Sequence, residues 1–380
     1  MNYWQKRNAS DLIMQEKKEL AFEKKLIEEY SQAKAKIEEQ LKVFYALYAQ
    51  DNKLSYNDAL KKLNANELNS FKKALENYKR SLSNYKNRTT ESLMKSIERD
   101  LNKVNVSRLE SIQKQIAYEI EELKAKQEKR TSSLLKEGYE DTYYRTMFNN
   151  QQRIGIGYAF NVLNTKAIDR AINAKFEGAD FSSRIWQEKD KLILNLNSIL
   201  AQNIARGSGL EGIIKDVMKV TNATYYNASR LARSELNRVC GLANADSYKE
   251  SDFVEEYEFV AILDSRTSDT CAEMDGKRFL KKDYTPGVNA PPMHANCRST
   301  TVAVIGPEAK ERIAKDKEGK YIKVDANMKY LDWAKQYCPE RYIQYVERNS
   351  KDYKQVQDIE KQTKQIDKSH QSNISKNKKS

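Results

Sequence analysis

Apolar residues in the first third of the chain recur in steps of three and four. Ile13, Leu20, Ile27, Tyr30, Ile37, Leu41, Phe44 and Tyr48 form one series, with Lys34 its single polar break. Leu68, Phe71, Leu75, Tyr78, Leu82 and Tyr85 form a second. A third runs Ile97, Leu101, Val104 and then Ile112, Ile116, Ile120 and Leu123. Narrow apolar stripes between charged flanks predict long antiparallel helices or coiled coil. Breaks are expected at Asp51-Asn52, at Asn64 and at Asn87-Arg88-Thr89-Thr90, with Thr90 placed to cap the following helix. The first glycine is Gly138 and the first proline is Pro286, so the strongest helix breakers are missing from this whole stretch. Residues 1–137 therefore read as an elongated helical arm.

Residues 138–250 keep the helical period in a more compact pattern. Ile185, Leu192, Leu196 and Ile199 mark one helix, which Gly207 and Gly209 would close. Asn222 is placed to cap the next, whose inward stripe reads Ala228, Leu231, Glu235, Val239 and Leu242. Glu235 is the polar member of that stripe and Arg233 is near it, so an internal salt bridge or a partly exposed carboxylate is expected. The texture changes near Phe253. Tyr257–Leu263 and Arg298–Ile305 are rich in β-branched and aromatic residues, as strands are. Helix returns near Asn327 to Glu347 with Met328, Leu331, Trp333 and Tyr337. The fold class expected is mainly α with a small α+β region at residues 251–348. Residues 349–380, rich in Lys, Gln and Ser, read as a disordered basic tail.

Composition narrows the partners. The 380 residues carry 67 Lys+Arg against 54 Asp+Glu, a formal net charge of +13. That balance favours polyanionic partners, nucleic acid or an anionic membrane surface. No apolar run approaches the ~18 residues that would span a bilayer, and the N-terminus lacks a signal-peptide core. Four cysteines, Cys240, Cys271, Cys297 and Cys338, are too few for a disulfide scaffold. Synthesis in a reducing cytoplasm is the expectation, with no membrane-spanning segment.

The candidate chemistry lies between the two expected strands. Asp264-x-Arg266-Thr267, Cys271 and Asp275-Gly276 are followed by Pro291-Pro292-x-His294-x-x-Cys297-Arg298. Two thiols and one of only two imidazoles in the chain form a candidate zinc set, Cys271, His294 and Cys297. A closed structural site needs a fourth ligand, to be found among Asp264, Asp269, Asp275 or water. The competing reading is that these side chains pack and hydrogen-bond without metal. Cys271 with His294 as nucleophile and base, or the acidic residues as a metal nuclease, would make the cluster catalytic. Turn aspartates more often only form turns, and no oxyanion loop is recognisable.

Together these elements resemble the Mu F-like domain of the phage head morphogenesis family, the minor head proteins. Residues 139–153 (YEDTYYRTMFNNQQR) and 230–239 (RLARSELNRV) also look like that family, the latter carrying Arg233 and Glu235. The resemblance covers roughly residues 130–305. Asp264, Arg266, Thr267, Asp275, Gly276, Pro291, Pro292 and Arg298 are its motif positions. Many relatives carry further cysteines where this chain has Ser268 and Ser299. The resemblance implies a non-enzymatic component of the virion, inside the capsid of a tailed phage. It implies partners in the portal protein, capsid or scaffold proteins and double-stranded DNA, bound without sequence preference during assembly, packaging or ejection. Some relatives carry a toxin domain after this region, which the short tail here would not supply. Lys376, Lys378 and Lys379 at the end of the tail are candidate phosphate contacts. Two further readings stand beside this one: a metal-dependent enzyme on nucleic acid, and a coiled-coil adaptor with incidental charge.

Overall fold

The computed structural model describes residues 3–349 apart from 52, 86–87, 155–162, 164, 177, 306–310, 317 and 326–327. Helix dominates, as the periodicity predicts. Four long helices make the body: α1 (Tyr3–Tyr48), α5 (Arg108–Ile154), α7 (Phe181–Ala205) and α8 (Leu210–Glu250). At about 1.5 Å per residue, the 47-residue α5 is roughly 70 Å long. Shorter helices α2 (Tyr56–Leu60), α3 (Ala65–Leu82), α4 (Arg88–Leu101) and α6 (Thr165–Asn173) fill the connections.

Two apolar clusters fix the helix directions. One joins Phe22, Leu26 and Tyr30 of α1 to Leu135 and Tyr139 of α5, Ile185 of α7 and Leu236 and Val239 of α8. The other joins Ile37 and Leu41 of α1 to Ile112 and Ile116, Leu192 and Leu196, and Ile213 and Val217. Residue numbers rise together along α1 and α7 and fall along α5 and α8, so the four helices alternate up and down. The arm expected at residues 1–137 thus shares its core with α7 and α8, and α5 runs straight through position 137. Phe71, Leu75, Tyr78 and Leu82 of α3 pack with α4 and against Tyr118 and Ala125 on the flank of α5.

The buried seam of α1 is Phe22, Leu26, Tyr30, Ala33, Ile37, Leu41 and Phe44. Its steps are four, four and three, an eleven-residue repeat that keeps a helix close to straight. Leu20 and Ile27, which the seven-residue spacing from Ile13 placed in the seam, are 57% and 49% exposed. Val104, also expected inside, lies in the turn after α4 and is 72% exposed, while Val106 is buried in its place.

Caps explain most of the boundaries. Asn64 and Glu67 form a reciprocal capping box at α3, and Asp180 accepts from the Ser183 N–H at α7. Gly207, at φ 67°, ends α7: its N–H bonds Ile204 O and the Ser208 N–H bonds Asn203 O, a paired closure of orphan carbonyls. Gly209 opens α8 and does not close α7. Two expected caps are absent. Asn222 lies within the continuous α8, where its side chain accepts from Lys34 at 2.7 Å. Thr90 lies inside α4, its hydroxyl bonded to Tyr85 O.

The C-terminal part carries the small sheets. Strands β1 (Glu256–Val260), β2 (Arg278–Leu280) and β3 (Thr300–Ala303) form an antiparallel sheet in the order β2-β1-β3. Helix α9 (Asp269–Met274) lies between β1 and β2 in sequence. A separate hairpin, β4 (Glu311–Lys315) with β5 (Tyr321–Asp325), precedes α10 (Tyr330–Tyr337) and α11 (Pro339–Asn349). Sequence reading missed α9, β2 and the two strands of this hairpin, each of six residues or fewer. The expected helix at 327–347 is two helices, α11 starting at Pro339. Leu263, Ala272, Ala314, Val324, Tyr330 and Trp333 share one core cluster, tying hairpin and α10 to the loop after β1.

Candidate functional site: a thiol and imidazole cluster beside a buried ion pair

The end of β1 and the approach to β3 are held together by one ion pair. Arg298 places Nη2 2.7 Å from Asp264 Oδ1 and directs Nη1 to Oδ2. The same carboxylate accepts from the Arg266 N–H at 2.9 Å and the Thr267 hydroxyl at 3.3 Å. Asp264 is buried; burial alone would raise its pKa, but the Arg298 fork outweighs burial and holds it below the usual carboxylate value. Arg266 stays exposed at the rim, 3.8 Å from the same carboxylate. Thr267 also donates to Ile262 O. These are turn-building contacts: an aspartate at a strand end satisfying the N–H and hydroxyl groups that follow it.

Asp275 does the same at the other end of α9. Its Oδ1 accepts from the Ala261 N–H at 2.9 Å and its Oδ2 from the Tyr330 N–H at 3.0 Å. Gly276 sits at φ 72°, a conformation that favours glycine, and the flexible end of the Lys329 side chain lies over it, 1.8 Å from where a Cβ would fall.

Three side chains converge beside this frame. Cys271 Sγ is 3.4 Å from His294 Nε2 and 3.7 Å from Cys297 Sγ. All three ligand atoms lie within 4.8 Å of one another, and both cysteines are buried. Local structure places them. Ser268 caps α9 by accepting from the Cys271 N–H, which turns the thiol inward. His294 and Cys297 share a tight turn in which the Cys297 N–H bonds His294 O, with Asn296 at φ 63°. The cis Pro291-Pro292 bond lies just before it. Helix α8 backs the turn: Ser234 Oγ accepts from the Asn296 N–H at 2.7 Å and Asn237 Nδ2 donates to Ser299 O at 2.9 Å. Farther along α8, Tyr248 and Thr301 pair their hydroxyls at 3.1 Å.

The electrostatics are those of a shared proton. Hydrogen bonding to the Cys271 thiol, opposed by burial and aided by His294, holds Cys297 down at about 4, as a thiolate. Cys271 is pushed up by Cys297 and by burial, and stays a thiol. His294 is raised by its contact with Cys297 against the effect of burial. Ser268 Oγ lies 2.8 Å from Nε2. A small, solvent-open cleft with room for about one water borders the cluster, lined by Arg266, Ser268, His294 and Arg298.

The expected site residues therefore fall into two groups. Cys271, His294 and Cys297 meet. Asp264 and Asp275, proposed as a fourth ligand, are each engaged elsewhere, and Asp269 sits in the first turn of α9. Arg233 and Glu235 belong to the bundle: Arg233 pairs with Glu23 of α1, while buried Glu235 pairs with Arg238 at 2.7 Å and Arg184 at 3.6 Å. Arg238 also donates to Ala171 O and Ile172 O, satisfying carbonyls at the end of α6. Sequence reading missed Ser268 as a contact of the cluster, although a serine directly before a short helix is a legible cap signal. It also missed Gly241, where a Cβ would lie 3.1 Å from Pro291 O, and nothing in the sequence pairs those two positions. Lys376, Lys378 and Lys379 lie outside the described residues.

The strand-end aspartate, the arginine fork and the histidine-cysteine turn backed by a long helix all lie in the stretch where the likeness to known proteins is found. Residues 195–302 match the family described as Phage Mu protein F like protein, a stretch from the middle of α7 through α8 to β3. The chain is 26% identical over 223 residues to the minor head protein GP7 of Bacillus phage SPP1, covering 55% of this chain and 72% of that one. It is also 26% identical over 231 residues to a protein of Enterococcus faecalis named NAD(+)--arginine ADP-ribosyltransferase EFV, covering 57% of this chain. The chain spans 47% of that relative's length. No solved structure matches. The resemblance to the phage minor head proteins read from the sequence is thereby shown. Among the described residues no helix is long and apolar enough to cross a membrane.

Proposed function

We propose that this chain is a structural component of a tailed-phage head, carried inside the capsid, associated with the portal and in contact with the packaged DNA. The observation that carries the reading is the use of the motif residues. Asp264, Thr267, Asp275, Gly276 and Arg298 serve backbone and ion-pair contacts that lock β1, α9 and β3 together. A frame of this kind suits a protein whose product is a shape. The minor head protein relative supports a virion location and capsid-related partners, and the portal and scaffold proteins are the partners that the family resemblance implies. A metal nuclease would need carboxylates converging on one point, and Asp264 and Asp275 are instead committed to opposite ends of α9. The transferase named among the relatives lends its activity to no residue identified in this chain.

The charge excess of +13 supports DNA contact. Binding to duplex DNA of mixed sequence, followed by fluorescence anisotropy across a salt series, tests it. Neutralising six phosphates gives a slope of about −5 in log K against log salt. Comparison with a chain lacking residues 350–380 assigns the share of the basic tail, including Lys376, Lys378 and Lys379. A flat slope in the full chain removes DNA from the account, and would leave an adaptor role. Copurification with the cognate portal protein tests the other half.

A further inference from the structure

We propose that Cys271, His294 and Cys297 form a coordination site for one soft divalent cation, zinc by the chemistry of its donors, with the fourth position open to the cleft beside Ser268. A tetrahedral zinc ion with bonds of about 2.3 Å to sulfur and about 2.0–2.1 Å to nitrogen sets its ligands on edges of about 3.8 Å for sulfur to sulfur and about 3.5 Å for nitrogen to sulfur. The observed separations are 3.7 Å and 3.4 Å. Those two edges already have the spacing that a shared ion requires. The sulfur separation is far beyond the ~2.05 Å of a disulfide, and all four described cysteines are free.

The imidazole is oriented for the role. His294 Nδ1 lies 2.9 Å from Ala295 O, a contact only a protonated Nδ1 can make. In the neutral ring that leaves the lone pair on Nε2, the nitrogen that faces both Ser268 and Cys271. A backbone carbonyl fixing the tautomer of a ligating histidine is the usual support for a metal-bound imidazole. The turn is rigid around it, with α8 holding Asn296 and Ser299 from behind.

Both sulfurs bind as thiolates, any thiol proton being released to solvent, which leaves two thiolates on a dication, a neutral core in a buried setting. The fourth ligand is a water reached from the cleft, within range of the Ser268 hydroxyl. The ion clips the start of α9 to the turn before β3, two segments more than twenty residues apart in sequence. Zinc bound this way stabilises the fold because the unfolded chain offers no assembled site.

The experiment uses the full chain, purified under reducing conditions without chelator. About one equivalent of zinc is expected by elemental analysis. Exchange for Co²⁺ should give thiolate-to-cobalt charge-transfer bands and the intense visible bands of a tetrahedral ion. Cys297→Ser and His294→Ala should lose the metal, while Cys240→Ser and Cys338→Ser keep it. Ser268→Cys, which puts a third sulfur at the open corner, should tighten binding tenfold or more and strengthen the charge-transfer bands. Folded wild-type chain that takes up neither zinc nor cobalt overturns the proposal, as does a cobalt spectrum of octahedral type. A Cys271–Cys297 disulfide formed in preference to metal uptake under reducing conditions overturns it equally. The cobalt spectrum of the wild type decides the matter even where a variant fails to fold.

Discussion

Arg298 and Asp264 stand 34 positions apart and meet as a two-pronged ion pair, Nη2 to Oδ1 at 2.7 Å, between the end of β1 and the start of β3. The carboxylate is buried and also serves the Arg266 N–H, so it closes a turn and ties two strands with the same two oxygens.

Asp264→Asn should therefore destabilise the chain by about 3 kcal/mol, because it leaves a largely buried guanidinium without its counter-charge. Denaturant unfolding at pH 7 measures this. The pH dependence has a fixed sign. The folded-state pKa of Asp264 lies below its unfolded value of 3.8, so its stabilisation is present above that value and is lost as pH falls through the folded value. The gap between wild type and Asp264→Asn should hold from neutral pH to about pH 4 and close below it. A gap that persists unchanged at lower pH would contradict the ion-pair account.

Glu121 gives the opposite sign. It is buried on α5, with Lys189 of α7 at 3.7 Å, Lys114 of its own helix and Asp190 as the nearby charges. Burial outweighs the lysines and raises its pKa from 4.5 to about 7. The favourable contribution of the protonated form is thus complete below pH 4.5 and lost as pH rises through about 7. Glu121→Gln should be near neutral at pH 4.5 and stabilising at pH 8, on the order of 2 kcal/mol. Thermal melts at the two pH values check it.

Gly276→Ala should cost about 1–2 kcal/mol, since alanine is strained at φ 72° and its methyl group must displace the end of the Lys329 side chain. Adding Lys329→Ala should recover the steric part and leave the backbone part. Full recovery in the double variant would show that φ carries none of the cost.

Leu41→Ala should cost 2–5 kcal/mol while Leu20→Ala costs under about 0.5 kcal/mol, although both are leucines on α1. Leu41 is fully buried and Leu20 is 57% exposed. Equal losses in equilibrium unfolding would mean that the seam of α1 follows the seven-residue spacing after all.

Much of this architecture is legible in the chain order of residues. The scarcity of glycine and proline before residue 138, together with the three- and four-residue steps, suffices for long helices. Asn64 with Glu67 suffices for one helix start, and Gly207 for one helix end. The β-branched and aromatic residues at 257–263 and 298–305 place β1 and β3. Spacing alone could not choose between seven- and eleven-residue repeats on α1, because Leu20, Ile27 and Leu26 are equally apolar. The choice falls to α5 and α8 packed against α1, which cover Leu26 and leave Leu20 and Ile27 largely in water. Asn222 has the chemistry of a cap, but its stretch of α8 packs on both sides of it, and continuous burial overrides a local preference.

The site divides the same way. The sequence by itself determined which donors exist: two soft thiols, an imidazole, a set of turn-forming aspartates and three arginines, Arg233, Arg266 and Arg298. Tertiary structure decided their roles. It committed Asp264 to Arg298 and Asp275 to two backbone N–H groups, removing them from the ligand set, and it paired Glu235 with Arg238 and Arg184 while sending Arg233 to Glu23. It also brought Cys271 within 3.7 Å of Cys297 across the sheet. The physical reason is range: caps, turns and helical period act over three or four residues, whereas these contacts span up to about two hundred and are fixed only when buried groups must find partners in a closed core.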